Sequence, residues 1–355
     1  MKTVPLVGYS DKLSGRPGDR INFMVSSEHK ENFTAELFRS ISADPNPQGL
    51  GVVEQSCDEF FTKKSFLSRK QSFQPGSYAI SEQPLKITAD DKISFSVLIY
   101  PTLQCANSQS IIEFGQFSLT LNTEGKVAFV CEAGSVMSSN AVSLRRWQRV
   151  EAQITKLGQI SISLGSLDGF DTFKPTFKQL NRELDLSQNA SVVIAGQLNG
   201  DAIINCFNGK IEQPEIYVGS NSLASWDFSR NMSSMTVPGS GCPDLKLINA
   251  PTRAVTGALW DASEMNWQHK PEHYASIAFH EDDIYDFNWE PDFSFVIPSN
   301  MPSGIYIMRI SCGDDYDAMP FFVCPEKDKP HAKVCVLVST FTYAIYGNHA
   351  RPDLS

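Results

Sequence analysis

The sequence predicts a mainly β protein: two sandwich-like blocks, then a switch to α/β patterning close to the end of the chain. Three observations lead there. Apolar and polar residues alternate at a period of two in run after run, as half-buried strands require. Twenty-two Gly and 20 Pro supply tight turns between those runs, and no convincing amphipathic helix interrupts them between residues 72 and 220. From residue 333 to 350 the pattern changes: Val334-Cys335-Val336-Leu337-Val338 leads into Ser/Thr and then Tyr343 and Tyr346. A buried parallel strand and the loop at its carboxyl end look like this, and open α/β sheets bind ligands at such loops.

In chain order, a turn at Arg16-Pro17-Gly18-Asp19 feeds a run with Ile21, Phe23 and Val25 on one face. Phe33, Ala35, Leu37 and Ile41 share a face of the next. Such a turn-then-strand start is common in immunoglobulin-like sandwiches. Asp44-Pro45-Asn46-Pro47 reads as an irregular loop. In the second block Ile93, Phe95, Val97 and Ile99 alternate with Ser94, Ser96 and Leu98. Phe117, Leu119 and Leu121 run into the turn Asn122-Thr123-Glu124-Gly125 and a hairpin through Val130. Val150, Ala152 and Ile154, then Ile160, Ile162 and Leu164, extend an antiparallel double sheet of jelly-roll type.

Trp147-Gln148-Arg149-Val150, the hairpin closing at Asp168-Gly169, and Phe207-Asn208-Gly209-Lys210-Ile211-Glu212 resemble, in order and spacing, strands of the laminin-G/concanavalin-like fold. Phe293, Phe295 and Ile297, then Ile305 to Ile310 and Pro320 to Val323, return to strands. The expected domains are an immunoglobulin-like sandwich from 1–70 plus 270–325, a jelly roll at 71–230 and a connector at 231–269. After the polar, proline-bounded linker Pro325-Glu326-Lys327-Asp328-Lys329-Pro330, an α/β domain is expected to start at 331–355.

Composition narrows the function classes. The 355 residues carry a formal net charge of −10 and no Lys/Arg stripe, which argues against nucleic acid and anionic membranes as partners. No apolar run approaches the ~18–20 residues of a membrane helix. The first residues lack a secretory pattern, so a cytoplasmic location is expected. Eight Cys without any CxxC read as free thiols in a reducing compartment.

His269-Lys270-Pro271-Glu272-His273 has a zinc-peptidase spacing, but Pro271 opposes the helix that spacing needs, so a polar surface or domain-junction role is expected. The acidic loops at 280–283 and 313–317 lack a calcium-loop register and read as solvated turns. There is no G-x-S-x-G, P-loop or G-x-G-x-x-G, so no catalytic residue is nominated by motif. Two aromatics after a strand, as at Tyr343 and Tyr346, ordinarily pack. The functional alternative is phenolate ligation of a hard trivalent cation.

Many stretches together resemble one family, the large (beta) subunit of N,N-dimethylformamidase and its relatives. They include Gly8-Tyr9-Ser10-Asp11, Trp226-Asp227-Phe228-Ser229, Pro251-Thr252-Arg253-Ala254-Val255-Thr256-Gly257 and Pro271-Glu272-His273-Tyr274. Further on come Phe279-His280-Glu281-Asp282-Asp283, Trp289-Glu290-Pro291-Asp292-Phe293 and Ser339-Thr340-Phe341-Thr342-Tyr343-Ala344-Ile345-Tyr346-Gly347-Asn348. The resemblance implies an amidotransferase-like α/β domain holding a mononuclear Fe(III) through two tyrosines and a glutamate. Tyr346 matches one ligand and Tyr343 its packing neighbour. The other ligands and a catalytic His/Glu pair are expected beyond Ser355. The implied reaction is hydrolysis of a small N-substituted amide such as N,N-dimethylformamide to formate and dimethylamine. An oligomer and a small (alpha) partner subunit are also implied, with this stretch alone inactive. The alternative is a non-catalytic, laminin-G-like carbohydrate- or protein-binding or assembly module.

Overall fold

The structure, a computed structural model, describes residues 4–44, 46–88, 91–169, 175–327 and 333–346. Two compact units divide the chain: residues 1–73 with 288–355, and residues 74–287. Strands dominate both, and Thr340–Tyr346 is the one α-helix among the described residues.

In the first unit, Leu6–Ser10, Arg20–Ser27 and Phe293–Val296 form a three-stranded antiparallel sheet. A six-stranded sheet runs Ser14–Gly15, Asp315–Val323, Gly304–Cys312, Phe33–Ala43 and Val52–Ser56, with Lys64–Phe66 also on Phe33–Ala43. The period-two residues meet between the sheets. Ile21, Phe23 and Val25 pack with Phe33, Ala35, Leu37, Met308 and Phe321. Phe293 stacks 4.5 Å from Phe66 and 5.1 Å from Phe23. Ile41 departs from the expected alternation and is exposed, because a bulge between Ser40 and Ser42 shifts the register against Val52–Ser56 and reverses the faces beyond it.

One buried carboxylate ties this sandwich together. Asp292 accepts the Val25 N–H at 2.7 Å, Arg69 Nε at 2.8 Å and Gln71 Nε2 at 3.1 Å. Trp289, three residues earlier, donates its ring N–H to the Ser72 carbonyl at 3.0 Å and tilts against Tyr9. The Trp289 to Phe293 motif is thus a fastening for the sandwich.

The second unit is a two-sheet sandwich. Its eight-stranded sheet centres on Gln109–Phe114, Phe117–Leu121 and Lys126–Cys131, and its nine-stranded sheet on Lys92–Pro101, Gln148–Thr155 and Gly209–Val218. Val97, Ile99, Val150 and Ile162 from one face meet Phe117, Leu119, Phe129 and Val192 from the other. The predicted alternation in these strands holds. Part of the stretch expected as a connector, 231–269, joins these sheets. Leu245–Ile248 pairs with Tyr78–Ser81, and Thr252–Val255 pairs with Ser276–Phe279, which in turn pairs with Gly209–Val218. These strands are only four residues long, too short for their alternation to stand out. Arg253 locks the neighbouring loop by donating to the carbonyls of Phe228, Arg230, Asn231 and Ser234 at 2.8–3.3 Å.

The run 334–338 is not the buried parallel strand expected of it. It has no regular structure, and Val334, Val336 and Leu337 are exposed. Among the described residues no strand pairs with it, so it has no ladder to join and these apolar side chains stay exposed. Helix Thr340–Tyr346 follows directly, its first turn closed by the Tyr343 N–H on the Ser339 carbonyl at 3.1 Å.

Candidate functional site

Strand pleating builds a concavity on the nine-stranded sheet. Residues alternating with the core positions of the nine-stranded sheet point outward, and they line a trough of about 430 Å³. Registration aligns them in rows. Tyr217, Ser94, Gln153, Ser161 and Phe177 lie across five neighbouring strands, and Glu215, Ser96, Glu151 and Ser163 lie one pleat along. Serines make the floor, so the trough stays open. Tyr217 and Phe177 stand at its two ends, four strand spacings or roughly 19 Å apart.

Arg149 reaches Ser96 Oγ at 3.3 Å, and the Tyr217 hydroxyl donates to Glu215 at 2.9 Å. That bond, with smaller contributions from burial and the Glu215 charge, pushes the Tyr217 phenol up. The trough offers hydroxyls, an amide, a guanidinium and carboxylates along an aromatic-ended strip. This suits binding of an extended polar ligand. It presents no Ser–His or Cys–His couple for nucleophilic chemistry.

On the same outward face, covered by the segment at Gly257 and Ala258, sits a carboxyl that sequence reading took only as part of a strand motif. Glu212 is 1 % exposed; its Oε2 accepts the Ala258 N–H at 2.7 Å and its Oε1 has no partner. Burial raises its pKa to about 7, with Asp227 adding to the rise and the Ala258 bond, Arg149 and Lys210 opposing it. Gly257 leaves this carboxyl its room, since a Cβ there would come 2.6 Å from Glu212 Oε2 and force it to shift. Lys210, partly desolvated, donates to the Thr256 carbonyl and hydroxyl at 3.0 and 2.8 Å. An acidic residue directly after the buried Ile211 in the closing strand Gly209–Val218 was the available signal.

The sequence-nominated residues are not brought together. Pro271–Tyr274 is a single 3-10 turn with Pro in its first positions. His269 pairs with Glu264 at 3.1 Å, while buried His273 lies 3.4 Å from Asp261, close but misaligned for a hydrogen bond. Bonds from Ser263 hold Asp261 down to about 2. These histidines face separate loop carboxylates, Glu264 and Asp261. In the acidic loop at 280–283, Asp283 accepts the Ser77 hydroxyl at 2.7 Å and faces His280 at 3.3 Å.

Tyr343 is half exposed and stacks on Phe322 at 6.0 Å. Tyr346 ends the helix, and its side chain lies outside the described residues. A phenolate is a hard donor suited to Fe(III). Among the described residues, however, no group of three His, Cys, Asp or Glu gathers at this helix.

Comparisons with known proteins give the context. A family model described as "N,N-dimethylformamidase beta subunit-like, C-terminal" matches residues 252–352, a span containing both tyrosines. The N,N-dimethylformamidase beta subunits of Paracoccus aminophilus and Alcaligenes sp are each 30% identical across 98% of this chain, which covers 53% of each relative. The chain therefore spans about half the length of the curated relatives it matches. Among solved structures, domains LG4-5 of the mouse laminin alpha1 chain are 14% identical, with 53% of this chain and 50% of theirs covered at a TM-score of 0.29. That score carries no argument of its own. Matches that extend over 98% of the chain at 30% identity, not one motif alone, place the chain in the N,N-dimethylformamidase beta subunit family.

Proposed function

We propose that the chain is the N-terminal platform of an iron-dependent amidohydrolase that cleaves small N-substituted amides such as N,N-dimethylformamide to formate and dimethylamine. The single observation behind this is the 30% identity to two dimethylformamidase beta subunits over 98% of the chain. In this reading the smaller unit is immunoglobulin-like, and the segment after it opens an amidotransferase-like α/β domain. Tyr346 serves as one Fe(III) ligand, completed by residues beyond Ser355. A small alpha subunit partners the chain, as the name of its relatives suggests, within a cytoplasmic oligomer. Iron would polarise the amide carbonyl and acidify a bound water.

The test uses the full-length protein with its partner subunit. Iron content and dimethylamine release are measured for wild type and Tyr346→Ala. Loss of both in the folded variant is expected; retained iron and activity would remove Tyr346 from the ligand set. Absence of amine release in the wild type would overturn the activity itself.

The serine-floored trough favours a second reading, a binding module for an extended carbohydrate or polypeptide. Glycan-array binding abolished by Arg149→Ala, in a preparation without amidase activity, would favour it over the first.

A further inference from the structure

We propose a divalent metal site at one end of the smaller unit, of a kind suited to Zn²⁺, with His29, Glu31 and Cys312 as protein ligands. Sheet pairing creates it. Strand Phe33–Ala43 lies beside Gly304–Cys312 with Thr34 opposite Ser311. The loop entering the first strand, which carries His29 and Glu31, therefore meets the tight turn leaving the second, which carries Cys312 and Asp315. Gly313, with φ at +59°, makes that turn possible. Each loop thus presents two donor residues at short spacing, H-x-E and C-x-x-D, from opposite ends of the sequence.

The geometry is close to what a metal needs. One ligand atom from each of His29, Glu31 and Cys312 lies within 4.8 Å of the others. Tetrahedral zinc with bonds of ~2.0–2.3 Å sets its ligand atoms about 3.3–3.8 Å apart. A closure of about 1 Å suffices, and the exposed Glu31 and partly exposed His29 have the freedom to make it.

Cys312 is buried, and its Sγ meets only the carbonyls of Glu31 and Asn32, at 3.6 and 3.7 Å, both weak contacts. Asp315 Oδ2 stands 3.1 Å from His29 Nε2. The contact is misaligned for a hydrogen bond as it stands, and a small turn of the ring would make it the carboxylate–histidine pair that orients an imidazole at metal sites. The mixture of imidazole, thiolate and carboxylate selects zinc over calcium or magnesium, which take oxygen alone. Binding takes Cys312 as thiolate, its proton passing to solvent, and the cation offsets the carboxylates around it.

The experiment loads the full-length protein with Zn²⁺, dialyses it, and counts metal per chain for wild type, Cys312→Ser and His29→Gln. One equivalent present in wild type and missing from both variants is expected. A parallel sample takes Co²⁺, which should give a thiolate-to-cobalt absorption band in wild type and none in Cys312→Ser. The Co²⁺ spectrum of wild type guards against a Cys312→Ser chain that fails to fold. No retained zinc in wild type, no thiolate band in wild type, or unchanged metal in folded His29→Gln would each overturn the site.

Discussion

Glu212→Gln isolates one buried ionisation. In the native protein the carboxyl titrates at about 7, against an ordinary value of 4.5, chiefly because burial disfavours the charge. A raised acid pKa means the folded state holds the proton more tightly than the unfolded chain. The group's contribution is therefore fully favourable below pH 4.5, falls as pH rises from 4.5 to 7, and is flat above. At ~1.4 kcal/mol per unit, the shift amounts to about 3 kcal/mol. Glutamine has the same shape. Its carbonyl can accept the Ala258 N–H, and its amide occupies the place of the unpartnered Oε1. The variant should match wild type near pH 4.5 and exceed it by up to about 3 kcal/mol at pH 8. Urea unfolding followed by tryptophan fluorescence at both pH values reads this as a shift in midpoint. A difference that does not vary with pH, or a variant less stable than wild type at pH 8, would refute the assignment of an unfavourable buried charge.

Two further substitutions test the packing around these groups. Asp292→Ala should cost about 2–3 kcal/mol, because it strands the Val25 N–H and the Arg69 guanidinium together; an unchanged thermal midpoint would contradict that role. Gly257→Ala should cost about 1–3 kcal/mol through the 2.6 Å approach of its Cβ to Glu212. In a Glu212→Ala background, unfolding titrations should show most of that cost gone; if it persists, the clash lies elsewhere.

The strands were legible wherever one face is buried and the other wet. Phe117 to Leu121 and Val150 to Ile154 alternate because each pleat faces a core on one side only, whereas Ile93 to Ile99 also buries Ser96 and Leu98 on its other face. Legibility failed where a tertiary partner decides. Leu245–Ile248 and Ser276–Phe279 are strands because neighbours offer open edges, not because four residues carry a pattern. Val334 to Val338 has the composition of a strand, but pattern alone does not supply a ladder to join. The trough is invisible to motif reading, since its serines come from two strands that are not neighbours and mean nothing until register aligns them. The same holds for His29 and Cys312, far apart in sequence and adjacent only through the pairing of Phe33–Ala43 with Gly304–Cys312.

The motifs that carry the family resemblance divide by physical role. Trp289 and Asp292 fasten the sandwich, Arg253 closes a loop on four carbonyls, Trp226 donates to the Pro243 carbonyl, and Gly257 makes room for Glu212. Each satisfies a buried polar group or a close approach, and none presents a reactive atom to solvent. Such residues define a scaffold: replacing them should lower stability and leave the chemistry of the surviving folded fraction intact. Tyr346 differs in kind. It stands in the segment after the last strand of the smaller unit, where Tyr343 already takes the packing role against Phe322. If Tyr346 is a ligand, its replacement changes activity at constant stability, the reverse of the pattern expected for Arg253 or Asp292. Measuring both quantities for both classes separates the platform from the chemistry it supports.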